Sequence, residues 1–547
     1  MPNAKLTNHP PHDRHSTPTR FHGGQALRGL EGVPRSTLHE GRFGRMFRHL
    51  PPFEPDDNDL VALANEMVEP EDFGDDSGDK EKKGDNPSIP AGFTYLGQFL
   101  DHDITYDPNS KLQRDNDPDA LQNFRTPRFD LDSLYADGPS NNPFIYRDDG
   151  IHLAVGENKK GEDDLPRNSE KPRRALIGDP RNDENAIVSQ IHLAFIKFHN
   201  RIVDTLEKDG VPKERRFDEA RRIVRWHYQR MILDDFLPHI VGDGVVSNIL
   251  KLENYKVRLG RGTQDIKGAV KVDLKFFEWK NQPFMPVEFS VAAYRFGHSM
   301  VRGDYSLNKE TSGDENEVPI FAAKKTDNDL RGFKERRAGI EIEWKHFFAF
   351  PGKRKPQPSR KIDTKLAFAL STLPKNVTGD LAPSPIGQML KALAVRNLLR
   401  GKALGLPSGQ TVARAMGMPD SIILKDKDLK LPRSVPDPIK PRQKRNLKAA
   451  FSEHTPLWYY ILKEAEVRCR GKKLGPVGGR IVAEVFLGLL AGDPSSFLNV
   501  EPTWRPKKGR FGATRNGKYF MTDLLSFAGV TISKTRPRRR ARPKKKS

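Results

Sequence analysis

The chain has 547 residues, of which 36% are hydrophobic and 30% charged, and its formal net charge is +21. Its single cysteine, Cys469, excludes a disulfide framework, a cysteine-rich zinc site, an iron–sulfur cluster held by this chain alone and a CxxCH attachment motif. No run of about 18 apolar residues occurs, so no membrane-spanning helix is expected. The length suits either two to four ordinary domains or one large domain with extensions.

The chain opens on a stretch rich in His, Pro, Gly and Arg that reads as an irregular arm over residues 1–55. It has no apolar core of the kind a secretory leader needs, so a cytoplasmic location or leaderless export is expected. An acidic, polar stretch follows over residues 54–87, interrupted by a short helical pattern at Leu60–Met67. Phe93, Leu96, Phe99 and Leu100 then mark one helix, and Ile187, Ile191, Ala194, Phe198 and Ile202 a longer one. Residues 107–125 and 136–171 are polar loops or inserts. Further helical patterns lie at Arg216–Val241, Val287–Val301, Pro385–Leu399, Leu457–Glu466 and Gly478–Leu490. Period-2 runs are few and short. The expected fold is mainly α: one large helical domain over residues 56–510 with little β and disordered ends. Residues 511–547 read as a basic tail. Nine of its last fourteen residues, from Lys534 to Ser547, are Lys or Arg. Such a tail is first a solvated arm and second a contact for anionic surfaces or nucleic acid.

Four segments carry candidate chemistry. In Gly97-Gln98-Phe99-Leu100-Asp101-His102-Asp103, Gln98 and His102 share a helix face, with Asp101 beside it. An amide, a carboxylate and an imidazole thus meet near an apolar interior, although a capped helix end with a satisfied core histidine has the same pattern. In Thr126-Pro127-Arg128-Phe129-Asp130-Leu131-Asp132-Ser133, oxygen donors alternate at Thr126, Asp130 and Asp132. Arg128 can add its carbonyl, and such a set suits Ca²⁺, as do plain acidic loops. In Gly178-Asp179-Pro180-Arg181-Asn182-Asp183-Glu184, Asp179 and Pro180 read as a helix cap and first helical residue, with Arg181 and Glu184 on one face. His192, His199 and Asn200 in the following helix read as core or supporting residues. In Ala293-Tyr294-Arg295-Phe296-Gly297-His298, Gly297 removes a side chain beside His298, which lets a flat group approach closely. Cys469 sits between Arg468 and Arg470, which can lower its pKa.

Together and in this order, the four segments resemble the animal-type haem peroxidases of the peroxidase–cyclooxygenase superfamily, most closely bacterial members without a secretory leader. The resemblance runs from about residue 90 to about 500, and includes Ala394-Val395-Arg396-Asn397-Leu398-Leu399-Arg400 before Gly405-Leu406-Pro407, and Leu474-Gly475-Pro476-Val477-Gly478. It implies a haem b cofactor and the reduction of hydrogen peroxide through a ferryl intermediate, with oxidation of a small organic donor or halide. By that resemblance His102 is the distal acid/base, Gln98 its neighbour and Arg181 the distal arginine. His298 is the iron ligand, Asn397 orients it, and Arg295 and Arg400 bind the haem propionates. Asp103, Thr126, Arg128, Asp130 and Asp132 form a calcium loop. Asp101 and Glu184 match the carboxylates that form haem esters in mammalian members. Asn185 replaces the methionine that forms a sulfonium link in myeloperoxidase, so that link is not expected. Cyclooxygenases and fatty-acid dioxygenases carry a radical-forming tyrosine three residues before the proximal histidine. Arg295 occupies that place here, which favours a peroxidase over the alternative of a haem-dependent fatty-acid dioxygenase. A non-enzymatic protein binding nucleic acid or anionic surfaces is the alternative from another class.

Overall fold

A computed structural model describes residues 41–70, 84–106, 122–123, 125–259, 262–279, 283–312, 316–322 and 328–530. The described residues are 45% helical against 10% strand, so helix packing organises the core and the short strands stitch its edges. Helix α1 (Asp57–Asn65) is capped by Asp56, whose carboxylate accepts the N–H groups of Asn58 and Asp59. Helix α2 (Gly92–Ile104) buries Phe93, Leu96, Phe99 and Leu100. Its first residue has to be small, because a Cβ on Gly92 would lie 2.6 Å from the Phe347 carbonyl oxygen.

The long helix α3 (Ala186–Lys208) starts at Asn185, whose side chain accepts from the N–H groups of Ile187 and Val188. Helix α4 (Lys213–Met231) runs against it. Phe99 of α2 stacks on Phe195 of α3 with centroids 4.7 Å apart, and Tyr228 of α4 meets both rings edge-on. Burying an aromatic or aliphatic side chain of this size contributes roughly 1.5–3 kcal/mol, so this cluster locks α2 onto the helical core. Helices α5 (Leu393–Ala403), α6 (Leu457–Cys469) and α7 (Pro476–Gly492) pack in turn, α5 on α6 and α6 on α7, and α8 (Met521–Ala528) lies on α3.

Strand β1 (Gly41–Gly44) pairs antiparallel with β3 (Gln122–Asn123) and parallel with β6 (Met285–Pro286). Strand β2 (Asp85–Pro90) pairs antiparallel with β7 (Pro358–Arg360), Asp85 opposite Arg360. The longest sheet element is the hairpin of β4 (Leu250–Leu259) and β5 (Gly262–Val272). Among the described residues no helix is long and apolar enough to cross a membrane.

Several expectations need correcting. The arm expected to residue 55 contributes β1 and the buried Phe43, Met46 and Phe47, so residues 41–55 belong to the body. At the other end Phe511, Tyr519, Met521, Leu524 and Leu525 are buried, so the expected tail begins too early at 511. Residues 1–40 and the basic run 534–547 lie outside the described residues, as do 71–83 and 107–121. The pattern at Pro385–Leu399 splits into Pro385–Met389 and α5, where the Lys391 carbonyl accepts instead from the Leu373 N–H. The pattern at Arg216–Val241 is continuous but widens to a π turn at Ile232–Phe236 before Pro238, which absorbs the helical hydrogen bond that proline cannot make.

Candidate active site

The segment bearing His298 is not a regular helix. A π turn at Glu288–Ala292 is followed by a 3₁₀ stretch at Ala293–Met300. Distant partners impose this. The Glu288 carboxylate accepts from the Met46 and Phe47 N–H groups, and the Arg295 carbonyl accepts the Trp458 indole N–H at 3.2 Å. A regular helix needs that carbonyl for its own residue 299.

Between this segment and α2 lies a cavity of about 430 Å³. Gln98, Asp101 and His102 line it from α2, Arg181, Glu184 and Asn185 from the turn before α3, and Tyr294, Arg295, Gly297 and His298 from the 3₁₀ stretch. Arg396 and Arg400 line it from α5. A Cβ added to Gly297 would meet nothing within 4 Å, so the backbone there borders open space.

His102 is buried, and its Nδ1 lies 2.8 Å from Asn182 Oδ1, while Asn182 Nδ2 lies 3.0 Å from His192 Nδ1. One proton arrangement satisfies the whole chain. Nδ1–H of His102 donates to the amide oxygen, the amide N–H donates to His192, and Nε2 of His102 keeps its lone pair. Burial first, then the Arg181 charge, push the His102 pKa down to about 3, so the ring is neutral near pH 7.

Arg181 follows a cap at Asp179, but the helix expected there is one 3₁₀ turn, Pro180–Asp183, and α3 begins anew at Asn185. The Arg181 guanidinium donates to Asp179 at 2.7 Å and to the carbonyls of His102 and Thr105 at 3.0 and 2.6 Å. It also stacks on the Tyr106 ring at 4.5 Å. Burial alone would raise the Asp179 pKa, yet Arg125 and Arg181 outweigh it and hold that carboxyl far below the usual range. Charge-assisted bonds of this kind fix a guanidinium in one place. Gln98 donates its amide to the Glu184 carboxylate and accepts from Asn185 Nδ2 at 3.0 Å. Burial pushes Glu184 up to about 7 against the pull of Arg181, and raises Asp101 against Arg295 and Arg181.

From the 3₁₀ stretch, His298 lines the same cavity, and its Nδ1 lies 2.7 Å from the Asn397 side-chain amide. Burial and the Arg295 charge push the His298 pKa down to about 3. Arg295 anchors its Nε on the Ser290 carbonyl at 2.9 Å.

Behind α2, carboxylate oxygens of Asp103, Asp130 and Asp132 lie within 4.8 Å of one another. Thr126 donates its hydroxyl to Asp130 at 2.9 Å. Asp103 accepts from the Leu131 N–H at 3.2 Å and the Tyr228 hydroxyl at 3.1 Å. Burial, then the neighbouring Asp132 and Asp130 charges, push Asp103 well up. The side chain of Arg128 is directed toward Asp493, 3.9 Å away.

Asn182 and Trp458 are supporting residues the sequence did not disclose, whereas His192, read there as a core or supporting residue, meets Asn182. No spacing rule joins residue 182 to residue 102. His199 and Asn200 pack as supports, His199 to Tyr135 and Ile151 and Asn200 to the Leu153 backbone. Cys469 departs from expectation. Its thiol is half-buried and burial pushes it up, while Arg468 turns to Ile422 and Asp428.

The family model described as animal haem peroxidase matches residues 108–500, and the chain belongs to that family. The match begins after α2, so geometry is what joins Gln98 and His102 to the rest of the site. Chorion peroxidase of Drosophila melanogaster is 26% identical over 318 residues, covering 58% of this chain and 34% of that protein. The chain spans about a third or less of the length of the curated relatives it matches. Peroxidase A from Dictyostelium discoideum has a similar fold, with a TM-score of 0.59 at 17% identity over 90% of this chain and 94% of that one. A fatty acid alpha-dioxygenase of Arabidopsis thaliana gives 0.51 at 17% identity over 88% and 75%.

Proposed function

We propose that this protein is a haem peroxidase that reduces hydrogen peroxide and oxidises a small organic donor or halide. The observation that carries this reading is one cavity lined both by His298, whose Nδ1 meets Asn397, and by a neutral His102 whose Nδ1 meets Asn182. The walls fit haem b. The neutral imidazole of His298 is a ligand for iron, Gly297 leaves room for a flat ring, and Arg295 and Arg400 supply cations for its two carboxylates. When bound, haem supplies the redox chemistry, and the protein supplies position and charge.

His298 would offer Nε2 to the iron, so its Nδ1 carries the proton. The 2.7 Å contact serves this when Asn397 turns its oxygen toward Nδ1, an interaction that raises ligand basicity. His102 Nε2 would take a proton from the near oxygen of the peroxide and return it to the far one, so that water leaves. Arg181 would stabilise the negative charge on the departing oxygen. Its bonds to Asp179 and two backbone carbonyls hold it in place beforehand.

We further propose Ca²⁺ at Asp103, Asp130 and Asp132, with Thr126 and the Arg128 carbonyl completing an all-oxygen set. Three converging carboxylates support this, and the ion would tie the residue after His102 to the loop. Asp101 and Glu184 are proposed as attachment points for haem esters, supported by their place on the cavity wall. Haem that stays with the denatured chain supports that link, and complete extraction refutes it. For the tail at 534–547, nucleic-acid binding that vanishes on its removal supports an auxiliary anionic-surface contact.

The test is the rate of Soret change when haem-loaded protein meets hydrogen peroxide. His102→Ala is expected to abolish most of it, and an unchanged rate overturns the assignment. Oxygen uptake with linoleate in the absence of peroxide would point to a dioxygenase instead. Against that alternative, Tyr294 donates its hydroxyl to the Gly97 carbonyl at 3.1 Å and stacks on Phe289.

A further inference from the structure

The cavity wall carries one guanidinium that neither the proposed cofactor nor the proposed peroxide step uses. Haem b has two carboxylates, and Arg295 and Arg400 suffice for them. Arg396, on the same face of α5 as Leu393 and Arg400, also lines the cavity. Its guanidinium donates one long hydrogen bond, 3.4 Å, to the Leu390 carbonyl. Among the described residues no carboxylate lies within ion-pair distance of it. Burial and the like charge of Arg295 both press against its protonated form. Arg295 differs, because it acts on the carboxyl of Asp101. A half-buried cation facing a cavity without an acid beside it is costly unless a ligand brings the opposite charge.

Leu370, Leu373 and Leu393 line the cavity with Arg396. The segment 368–373 lies against α5, and its Leu373 N–H donates to the Lys391 carbonyl at 2.9 Å. Phe368, at the start of that segment, is 39% exposed. A cation and aliphatic side chains lining one cavity match a ligand with a carboxylate at one end and an apolar body at the other.

We infer that the cavity wall at Arg396 binds the carboxylate of an amphiphilic organic acid, whose apolar part rests on Leu370, Leu373 and Leu393. The inference rests on the peroxidase reading for the identity of the cavity, and gives that reading a class of donor. Either an aromatic acid or an aliphatic one supplies this chemistry.

The test is calorimetric binding to the haem-loaded full chain without peroxide. The ligands are 3-(4-hydroxyphenyl)propionate and octanoate, each beside its methyl ester. At least one acid is expected to bind more tightly than its ester, and the better acid tells aromatic from aliphatic. Arg396→Leu should weaken that acid by about tenfold, as loss of a charge-assisted bond implies, and leave its ester unchanged. Arg396→Lys should recover most of the loss. Equal binding of acids and esters to the wild type, or equal weakening of both by Arg396→Leu, overturns the inference while the Soret band and peroxide turnover stand. Absence of that band and that turnover overturns the peroxidase reading itself, whatever the acids do.

Discussion

Replacing Asn182 by leucine probes the distal wall without touching a group that meets peroxide. The side chains are close in volume, so the change removes the acceptor 2.8 Å from His102 Nδ1 and the donor 3.0 Å from His192 Nδ1 with little change of packing. A buried donor left without its partner costs about 1–3 kcal/mol. The ring also loses the contact that keeps the proton on Nδ1 and the lone pair on Nε2. If that cost falls on the step in which Nε2 takes the peroxide proton, the rate constant falls roughly 5- to 150-fold. Stopped-flow mixing with peroxide, followed at the Soret band, measures it. The loss should vanish when His102 is already alanine, because Asn182 acts on the peroxide step through that ring. An equal fall in the His102→Ala background, or no fall in the single variant, would refute the reasoning.

Chelation should lower the melting temperature, and added Ca²⁺ should restore it. Free Ca²⁺ at a hundred times its dissociation constant is worth about 2.7 kcal/mol, and a melt indifferent to both treatments counts against the ion. Gly332→Ala should destabilise the protein by roughly 1–3 kcal/mol or more and lower its haem content. Its Cβ would fall 1.7 Å from the Asp183 carbonyl oxygen, beside Glu184; urea titration and the Soret-to-protein ratio check both effects. His227 is buried among Trp504, Phe511 and Tyr519, and burial pushes its pKa down to about 4. The unfolded chain therefore takes up a proton near pH 6.5 that the folded one refuses, so this histidine's contribution is full above that pH and shrinks as pH falls toward 4. His227→Phe should gain on the wild type across that window by up to about 1.4 kcal/mol per pH unit. A difference in urea stability that stays constant with pH contradicts it.

The helices that carry the site were legible because their patterns are local. Gln98 and His102 sit four apart on α2, and the apolar rows of α3 and α4 mark their buried faces. What was lost depends on distant partners. Val287–Val301 has a helical pattern, yet Trp458 takes the Arg295 carbonyl and Glu288 is committed to Met46 and Phe47. The β4–β5 hairpin escaped notice because its register shifts between Glu253 and Tyr255, which interrupts the period-2 pattern of the sequence. The folding of 511–530 onto α3 was hidden by the basic run that follows it. Asn182 reads as an ordinary turn residue until the fold sets it against His102.

The most direct measurement is the absorption spectrum of haem-loaded protein, wild type and His298→Ala, with and without added imidazole. An intense Soret band in the wild type, weakened or displaced in the variant and recovered with imidazole, is the predicted result. A variant whose band matches the wild type in position and strength would contradict His298 as the residue that holds the iron.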